Sequence, residues 1–226
     1  MKIRLNNFQN DINLFDGLVT IIEIRNSKYY AKLIQSINDQ INGYENNEII
    51  LLSENDELLQ LEKEVMLVID LYNIDFNSKK ILTKIYSTIA ANVKNAQNHE
   101  IKDILCKLRH CLDLELMELP FDFHLKEFVE IEDLLKIFSV KIEDLTCQTI
   151  LERLELLIDI ISTLNLAKIL VIPNLRLYLD EKELVEIYKY SMYNELKLIL
   201  IERNCESKLS YEQVMCIDEN FDDYIY

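Results

Sequence analysis

The hydrophobic positions of this chain follow two spacings. Short runs rich in β-branched and other apolar residues predict strands, because they are too short to form helices. Longer stretches repeat apolar residues every three or four positions, which predicts amphipathic helices. The predicted strands cover 3–5, 12–15, 18–24, 48–52, 65–71, 168–172, 196–201 and 214–217. The predicted helices cover 28–41, 78–96, 99–118, 131–138, 146–165 and a last segment that ends near residue 192.

Strands precede and follow the longest series of predicted helices. This order indicates that the helices form one insertion between two groups of strands. We therefore expect an α/β fold, in which residues 1–77 and 166–226 form a sheet-containing head. Residues 78–165 are expected to form a protruding α-helical lobe, or leg, inserted into that head.

Glycine is scarce, and its scarcity limits the possible chemistry. The 226 residues include only Gly17 and Gly43. A phosphate-binding loop and a dinucleotide-binding fingerprint both need several closely spaced glycines, because a Cβ atom would collide with phosphate oxygens. The sequence therefore excludes both motifs and nucleotide-driven chemistry by those routes.

The chain is strongly acidic, with 40 acidic and 24 basic residues and a formal net charge of −16. Such a charge argues against a protein that coats nucleic acid with a surface covered by basic groups. An anionic partner would have to meet a local basic patch, or cations or subunit assembly would have to neutralise the acid. Five cysteines without paired spacing, no signal-peptide pattern and no apolar run of spanning length predict a reduced, cytoplasmic protein without a membrane span.

The stretch 64–86 combines a buried strand, a turn and the start of a basic helix. Lys79 and Lys80 lie in the predicted first turn, where cations meet the positive end of the helix dipole at a cost of roughly 0.3–1 kcal/mol each. Lys84 shares a face with Lys80, because one helical turn separates them. This placement favours an anionic partner, and a solvated helix face is the alternative.

A second basic pair lies on the first predicted helix. Lys28 and Lys32 are four residues apart and therefore share one side of that helix. They join the three lysines of the later helix as candidate contacts for an anionic partner.

Carboxylates crowd the stretch 113–133, which is the most acidic part of the chain. Ca²⁺ takes six to eight oxygen ligands in flexible geometry, so such a stretch could bind it. The stretch lacks the spacing of an EF-hand loop, and solvated acidic side chains are the alternative. Pro120 interrupts the acidic stretch, which would let carboxylates from two helices converge.

A metal-dependent nuclease is the main enzymatic alternative. Glu195 and Lys197 have the Glu-x-Lys spacing that can hold Mg²⁺ and polarise a phosphate, with Asp180 upstream. This motif is short, and surface charges often produce it by chance. We therefore assign no catalytic residues.

Four segments together resemble a known family. They are VMLVIDLYNIDFNSKKILTKIYS from residue 65, ILVIPNLRLYLDEKELVEIYKY from residue 169, LKLILIERN from residue 196 and YEQVMCIDENFDDYIY from residue 211. On these segments the chain resembles the CRISPR-associated adaptation protein of type II-A systems, the Csn2 family, in its short form. The resemblance extends from about residue 18 to the C-terminus.

The resemblance implies an α/β head that is related to P-loop folds but has no working phosphate loop, together with a helical leg. It also implies a non-catalytic homotetramer that forms a ring, binds linear double-stranded DNA near its ends and depends on calcium. Such a protein acts in spacer acquisition during antiviral defence, beside the CRISPR integrase proteins and the type II effector nuclease.

The resemblance also points to particular residues. Lys32 lies where the family tends to place a basic residue on the first helix, so it is the leading DNA-binding candidate. The calcium ligands are expected in the region around Pro120, among Glu118, Asp122, Glu127 and Glu130. The metal-dependent nuclease and a purely protein-binding acidic adaptor without DNA contact are the alternative functions.

Overall fold

The computed structural model of this chain describes residues 1–6, 8–95, 99–126, 129–143, 147–205 and 207–225. Proximity of Cα atoms divides the chain into two compact units. The sheet unit comprises residues 1–75 and 144–226, and the helical unit comprises residues 76–143. Strands and helices together build the sheet unit, so the expected α/β fold class is confirmed.

The elements of the described residues are as follows in chain order. The strands are β1 (Lys2–Leu5), β2 (Ile12–Asn13), β3 (Val19–Ile24), β4 (Ile49–Leu52), β5 (Leu58–Leu59), β6 (Val65–Leu67), β7 (Ile169–Pro173), β8 (Lys197–Glu202), β9 (Glu212–Ile217) and β10 (Asp223–Ile225). The α-helices are α1 (Ser27–Ile41), α2 (Leu61–Glu64), α3 (Lys79–Asn95), α4 (His99–Met117), α5 (Ile131–Ile137), α6 (Ile150–Leu164) and α7 (Glu181–Tyr193). A short 3-10 helix, Leu175–Leu177, follows β7.

The central sheet has the strand order β10-β9-β3-β8-β7-β6. Neighbouring strands from β9 to β6 pair in parallel, and β10 pairs antiparallel with β9. Parallel strands that are buried on both faces need nearly continuous apolar sequence. Both β3 and β7 are buried at every position, which is why the sequence located them. A smaller antiparallel sheet has the order β2-β1-β4-β5.

Helices pack on both faces of the central sheet, and successive residues of a strand alternate between those faces. Leu33 of α1 belongs to a buried apolar cluster with Ile199 and Ile201 of β8. The intervening residues Leu198 and Leu200 are equally buried and point to the other face. Helix α7 packs against β8, and α6 packs against α7. The core therefore extends through both faces of the sheet.

Helix α6 belongs to the sheet unit, which corrects the predicted boundaries of the helical lobe. The sequence placed residues 78–165 in the lobe, whereas the compact helical unit ends at residue 143. The side chain of Thr149 and that of Glu152 form a capping box that begins α6. Leu154, Leu157 and Ile158 are buried in the sheet unit. The apolar period of α6 matches that of the lobe helices, so periodicity could not show which unit would bury it.

In the helical unit, α3 packs against α5 and the segment that follows it. The side chain of Asn77 accepts a hydrogen bond from the Ile142 N–H at 2.8 Å and donates one to the Ile142 carbonyl at 3.0 Å. The Tyr86 hydroxyl donates to the carbonyl of Val140 at 3.0 Å. These polar side chains fasten the segment after α5 to the beginning of α3.

Helix α4 is amphipathic, but its apolar stripe faces solvent in the single chain. Ile104, Leu108 and Leu112 are 57%, 54% and 48% exposed. None of the α4 side chains that the structure describes is buried. The spacing predicted the helix correctly and left open what would cover its stripe. Within the described residues, no helix is long and apolar enough to span a membrane.

We expect Leu157→Ala to lower the free energy of unfolding by about 2–5 kcal/mol, because it leaves a cavity in the core of the sheet unit. Leu157 is 1% exposed. The change Thr163→Ala, at an exposed position of the same helix, should alter that free energy by less than about 0.5 kcal/mol. Urea denaturation followed by circular dichroism measures both. Equally small effects would contradict the assignment of α6 to the core.

Candidate nucleic-acid interface

The start of α3 carries the basic turn that the sequence predicted. The helix begins at Lys79, and its first turn contains no acidic residue. Lys79, Lys80 and Lys84 are all exposed. Farther along the helix, Lys94 lies 3.8 Å from Glu130, but among the described residues no ion pair involves Lys79 or Lys84. The helix dipole adds to their charge, so positive potential is concentrated at this end of α3.

The two lysines of α1 differ in their surroundings. Lys28 is exposed in the first turn, where the Asn26 side chain caps the helix by accepting hydrogen bonds from the N–H groups of Lys28 and Tyr29. Lys32 is also exposed, but its Nζ lies 2.5 Å from Oε1 of Glu48. A phosphate that contacts Lys32 would therefore have to compete with a carboxylate already in place.

The candidate DNA-binding lysines divide between the two units. Lys28 and Lys32 belong to the sheet unit, and Lys79, Lys80 and Lys84 belong to the helical unit. Their exposure is compatible with phosphate contacts on each unit. Their contact with DNA stays a prediction.

The carboxylates expected to bind calcium do not form a site among the described residues. Glu118 and Asp122 are exposed, and Glu130 pairs with Lys94. Glu127 lies outside the described residues. Within the part of the chain that the structure describes, no group of three or more His, Cys, Asp or Glu side chains could hold a metal ion. Glu118, Asp122 and Glu130 therefore do not form a calcium site by themselves. The site of four carboxylates stays a prediction.

The residues of the nuclease alternative lie at opposite ends of α7. Asp180 caps the start of this helix by accepting hydrogen bonds from two backbone N–H groups, and Glu195 follows its end. A helix of 13 residues separates its ends by about 20 Å. Asp180 and Glu195 therefore cannot hold one metal ion together. Lys197 is engaged elsewhere, since its Nζ lies 2.5 Å from Oδ1 of Asp16.

A buried polar cluster lies at the carboxyl ends of the parallel strands, and the sequence analysis missed it. Glu23 of β3 lies opposite Glu202 of β8 and opposite Cys216 of β9, so the three side chains point to one face. They are 2%, 3% and 0% exposed. This end of an open parallel sheet is where α/β proteins usually bind their ligands.

Arg176 also pairs with Glu212, which is the first residue of β9 and lies opposite Val19, at the amino-terminal end of that strand. Nη2 of Arg176 lies 2.6 Å from both carboxylate oxygens of Glu212, whose side chain is fully buried. The Tyr188 hydroxyl donates to Oε1 of Glu212 at 2.7 Å, and the Leu209 N–H donates to Oε2 at 2.8 Å. A buried carboxylate with this many partners avoids most of the cost of desolvation. The pair therefore links the segment after β7 to the start of β9.

Glu202 is less well compensated than its neighbours. Its Oε1 accepts a hydrogen bond from the backbone N–H of Arg176 at 3.1 Å, whereas Glu23 has the guanidinium of Arg25 at 3.1 Å. Burial raises the pKa of Glu202 to about 7, and the Arg176 N–H opposes that effect only in part. Burial also raises the pKa of the Cys205 thiol, to about 12, so this thiol is protonated at neutral pH.

The sequence contains a signal for this cluster. Glu23 and Glu202 each lie near the end of a strand that is otherwise apolar. Glutamate is almost never fully buried without a partner, so this pattern indicates a buried polar network. It could not identify Arg176, because that residue follows a different strand.

Comparison with known proteins matches residues 40–221 to the family model described as CRISPR-associated protein (Cas_Csn2). The chain is 27% identical over 207 residues to the CRISPR-associated protein Csn2 of Enterococcus faecalis, which covers 89% of each chain. It is 24% identical over 185 residues to the CRISPR-associated protein Csn2 of Streptococcus agalactiae, which covers 81% of each chain. The crystal structure of Stu0660 of Streptococcus thermophilus shares the fold, with a TM-score of 0.62 and 13% identity over 96% of this chain and 75% of that chain.

These similarities define a CRISPR-associated protein with an α/β fold. The chain belongs to the Csn2 family, since the family model matches most of its length. The resemblance found in the four sequence segments is therefore confirmed, and the chain is assigned to CRISPR adaptation.

We expect Glu202→Gln to change how stability depends on pH. The pKa of Glu202 in the folded protein lies above its ordinary value of 4.5, so the folded state binds more protons between about pH 4.5 and pH 7. The contribution of Glu202 to the free energy of unfolding is fully present below about pH 4.5 and is lost as the pH rises through about 7. The loss amounts to a few kcal/mol and should disappear in Glu202→Gln.

Urea denaturation at pH 5 and pH 8 measures this effect as a difference between variants. The exposed change Glu219→Gln is the control and should keep the pH dependence of the unmodified protein. If Glu202→Gln lost stability between the two pH values as steeply as the unmodified protein, protonation of Glu202 would be ruled out.

Proposed function

We propose that this chain is a non-catalytic, calcium-dependent ring protein that binds the ends of linear double-stranded DNA during CRISPR spacer acquisition. Membership of the Csn2 family supports the role in CRISPR adaptation. The observation that carries DNA binding is the start of α3, where exposed lysines have no acidic neighbour in the first turn. Phosphates would pair with the exposed lysines of this helix end.

The spacing of the α3 lysines suits a polyanion better than a single small anion. Lys79 and Lys84 are five residues and therefore about 7.5 Å apart along the helix axis, at 1.5 Å per residue. One DNA strand presents a phosphate every 3.4 Å along the duplex, so these lysines can reach more than one phosphate. The contacts would involve the backbone and would not select a sequence.

A homotetrameric ring would reconcile DNA binding with a net charge of −16. The basic helix ends would face the duplex, and acidic surface would face outward. The exposed stripe of α4 supports self-association, because three large apolar residues on one helix face favour burial against a partner. A second copy of the chain would supply the same stripe and could pair with it around a twofold axis.

Calcium dependence is the part of the proposal that concerns the acidic stretch 113–133. Carboxylates such as Glu118 and Asp122 are exposed and are the hard oxygen ligands that calcium prefers. A complete ligand set would need Glu127 or further groups, since the described side chains form no cluster of three. Calcium bound there would also reduce the repulsion between acidic subunits.

The connection after β3 supports a head without a working phosphate loop. Such a loop follows a strand and opens a helix. Only Arg25 and Asn26 join β3 to α1, and neither is glycine. Gly17 precedes β3 and Gly43 follows α1, so neither could form the loop. The head would therefore bind DNA without hydrolysing a nucleotide. We place the protein in the cytoplasm, where it would act beside the CRISPR integrase proteins and the type II effector nuclease.

We expect the double variant Lys79→Gln with Lys84→Gln to bind linear duplex DNA more weakly, because both lysines would contact phosphates. The plot of log affinity against log salt concentration should become shallower by about one for each phosphate that the variant no longer neutralises. The control is Lys182→Gln, which removes a first-turn lysine of α7 that lies between Glu181 and Glu183. Gel shifts at several salt concentrations, with calcium or chelator, measure the affinities.

Three results would oppose the proposal. Equal binding of linear and closed-circular DNA would exclude encirclement and end binding. Shortened DNA after incubation with Mg²⁺ would exclude a non-catalytic role. No gel shift at any calcium concentration would favour the acidic adaptor.

We expect Leu108→Glu to reduce the oligomer mass, because a charge would enter the stripe through which α4 associates. His110→Glu places the same charge two residues away, about 200° around the helix, and should keep the mass of the unmodified protein. Light scattering coupled to size exclusion measures both. A monomeric unmodified protein, or an unchanged Leu108→Glu oligomer, would contradict assembly through this stripe.

A further inference from the structure

A cleft of about 400 Å³ opens at the amino-terminal ends of β3 and β8. One wall is the turn that contains Phe15, Asp16 and Leu18, and the other is the end of α7 with Met192 and Glu195. All of these residues belong to the sheet unit. The volume lies within the range of sites that bind small molecules or single side chains.

The charges around this cleft favour a cation. Lys197 supplies the positive charge of the lining, but its Nζ donates to Oδ1 of Asp16 at 2.5 Å and to the carbonyl of Leu14 at 3.1 Å. The same hydrogen bond keeps the pKa of Asp16 below its ordinary value. Glu195 is exposed and forms no ion pair among the described residues. The carboxyl end of α7, which carries negative partial charge, lies beside it.

The backbone holds Glu195 at the rim of the cleft. The Leu196 N–H donates to the carbonyl of Ser191 at 2.9 Å, and the Glu195 N–H donates to that of Met192 at 3.0 Å. These two bonds form the motif that ends many helices, in which the residue at the position of Glu195 has a positive φ and is usually glycine. Glu195 has a φ of 55°. A glutamate therefore occupies a position that glycine would fill with less strain.

The apolar walls narrow the choice of cation. Phe15 on one wall is 54% exposed, and Met192 on the other wall is partly exposed. An aromatic face attracts a flat guanidinium, and an apolar wall can pack against the methylene stem of a long cationic side chain. A carboxylate next to such surfaces can pair with two N–H groups of a guanidinium at once.

We propose that this cleft binds the guanidinium group of an arginine side chain presented by a partner protein. Glu195 pairs with the guanidinium, Phe15 stacks on it, and Met192 contacts the methylene stem. A phosphate would meet the negative end of α7, and no three described carboxylate, thiol or imidazole groups gather to hold a metal ion. This function goes beyond DNA binding and does not depend on it, because the α3 lysines lie in the other unit.

The test uses the full chain labelled with ¹³C-methyl methionine, whose signals stay sharp in large assemblies. The chain has five methionines, of which Met192 lines the cleft. Met117 is exposed in the helical unit and reports non-specific contact. The probes are N-acetyl-arginine amide and N-acetyl-citrulline amide, which have nearly the same shape but differ in charge. We expect the arginine probe to shift the Met192 signal saturably and the citrulline probe to bind about fivefold more weakly or worse.

Three variants complete the test. Glu195→Gln should weaken binding of the arginine probe about fivefold, and Glu195→Gly should do the same with an unchanged or raised melting temperature. Glu219→Gln, at an exposed position outside the cleft, should bind as the unmodified protein does. Equal affinity for both probes, unchanged affinity in Glu195→Gln, or equal shifts of Met117 and Met192 would each overturn the proposal.

Discussion

A parallel sheet has two apolar faces, and the sheet unit depends on covering both of them. Parallel strands cannot be joined by tight hairpins, so each connection must cross over the sheet and can carry a helix with it. In this chain α1 covers one face after β3, and α7 packs on β8 with α6 against it. The compact sheet unit therefore takes up α6, although its sequence pattern is that of a lobe helix.

The buried charges at the carboxyl ends of the strands are an exception to this apolar pattern. Where β3 and β8 end, the buried face of the sheet receives Glu23 and Glu202 instead of aliphatic side chains. Arg25 pairs with Glu23, whereas the backbone N–H of Arg176 compensates the burial of Glu202 only in part. The Arg176 side chain pairs with Glu212 at the start of β9. The usual ligand-binding end of the sheet is thus occupied by the protein's own buried carboxylates, Glu23 and Glu202, which agrees with the proposal of a head that binds without catalysis.

Charge distribution connects the fold with the proposed functions. An acidic chain can bind DNA only through local basic features, and the first turn of α3 is one because it contains lysines and no acidic residue. Lys32 shows the opposite case, since Glu48 already neutralises it within the sheet unit. The cleft beside Glu195 has the reverse polarity and would select a cationic partner. One chain can therefore present separate surfaces to a polyanion and to a basic protein.

The sequence by itself determined the fold class, the buried strands, the beginning of α3 and the family, because these depend on local spacing and on contiguous motifs. With Gly17 and Gly43 as its only glycines, it also argued against a phosphate loop, since that loop needs several glycines in one short segment. Only the tertiary structure decided that α6 joins the sheet unit and that the α4 stripe faces solvent. It also decided that Asp180 and Glu195 lie at opposite ends of a helix, and that Arg176 meets Glu212. Periodicity reports which side of an element is apolar, but the partner that covers that side, or pairs with a charge, comes from a distant part of the chain.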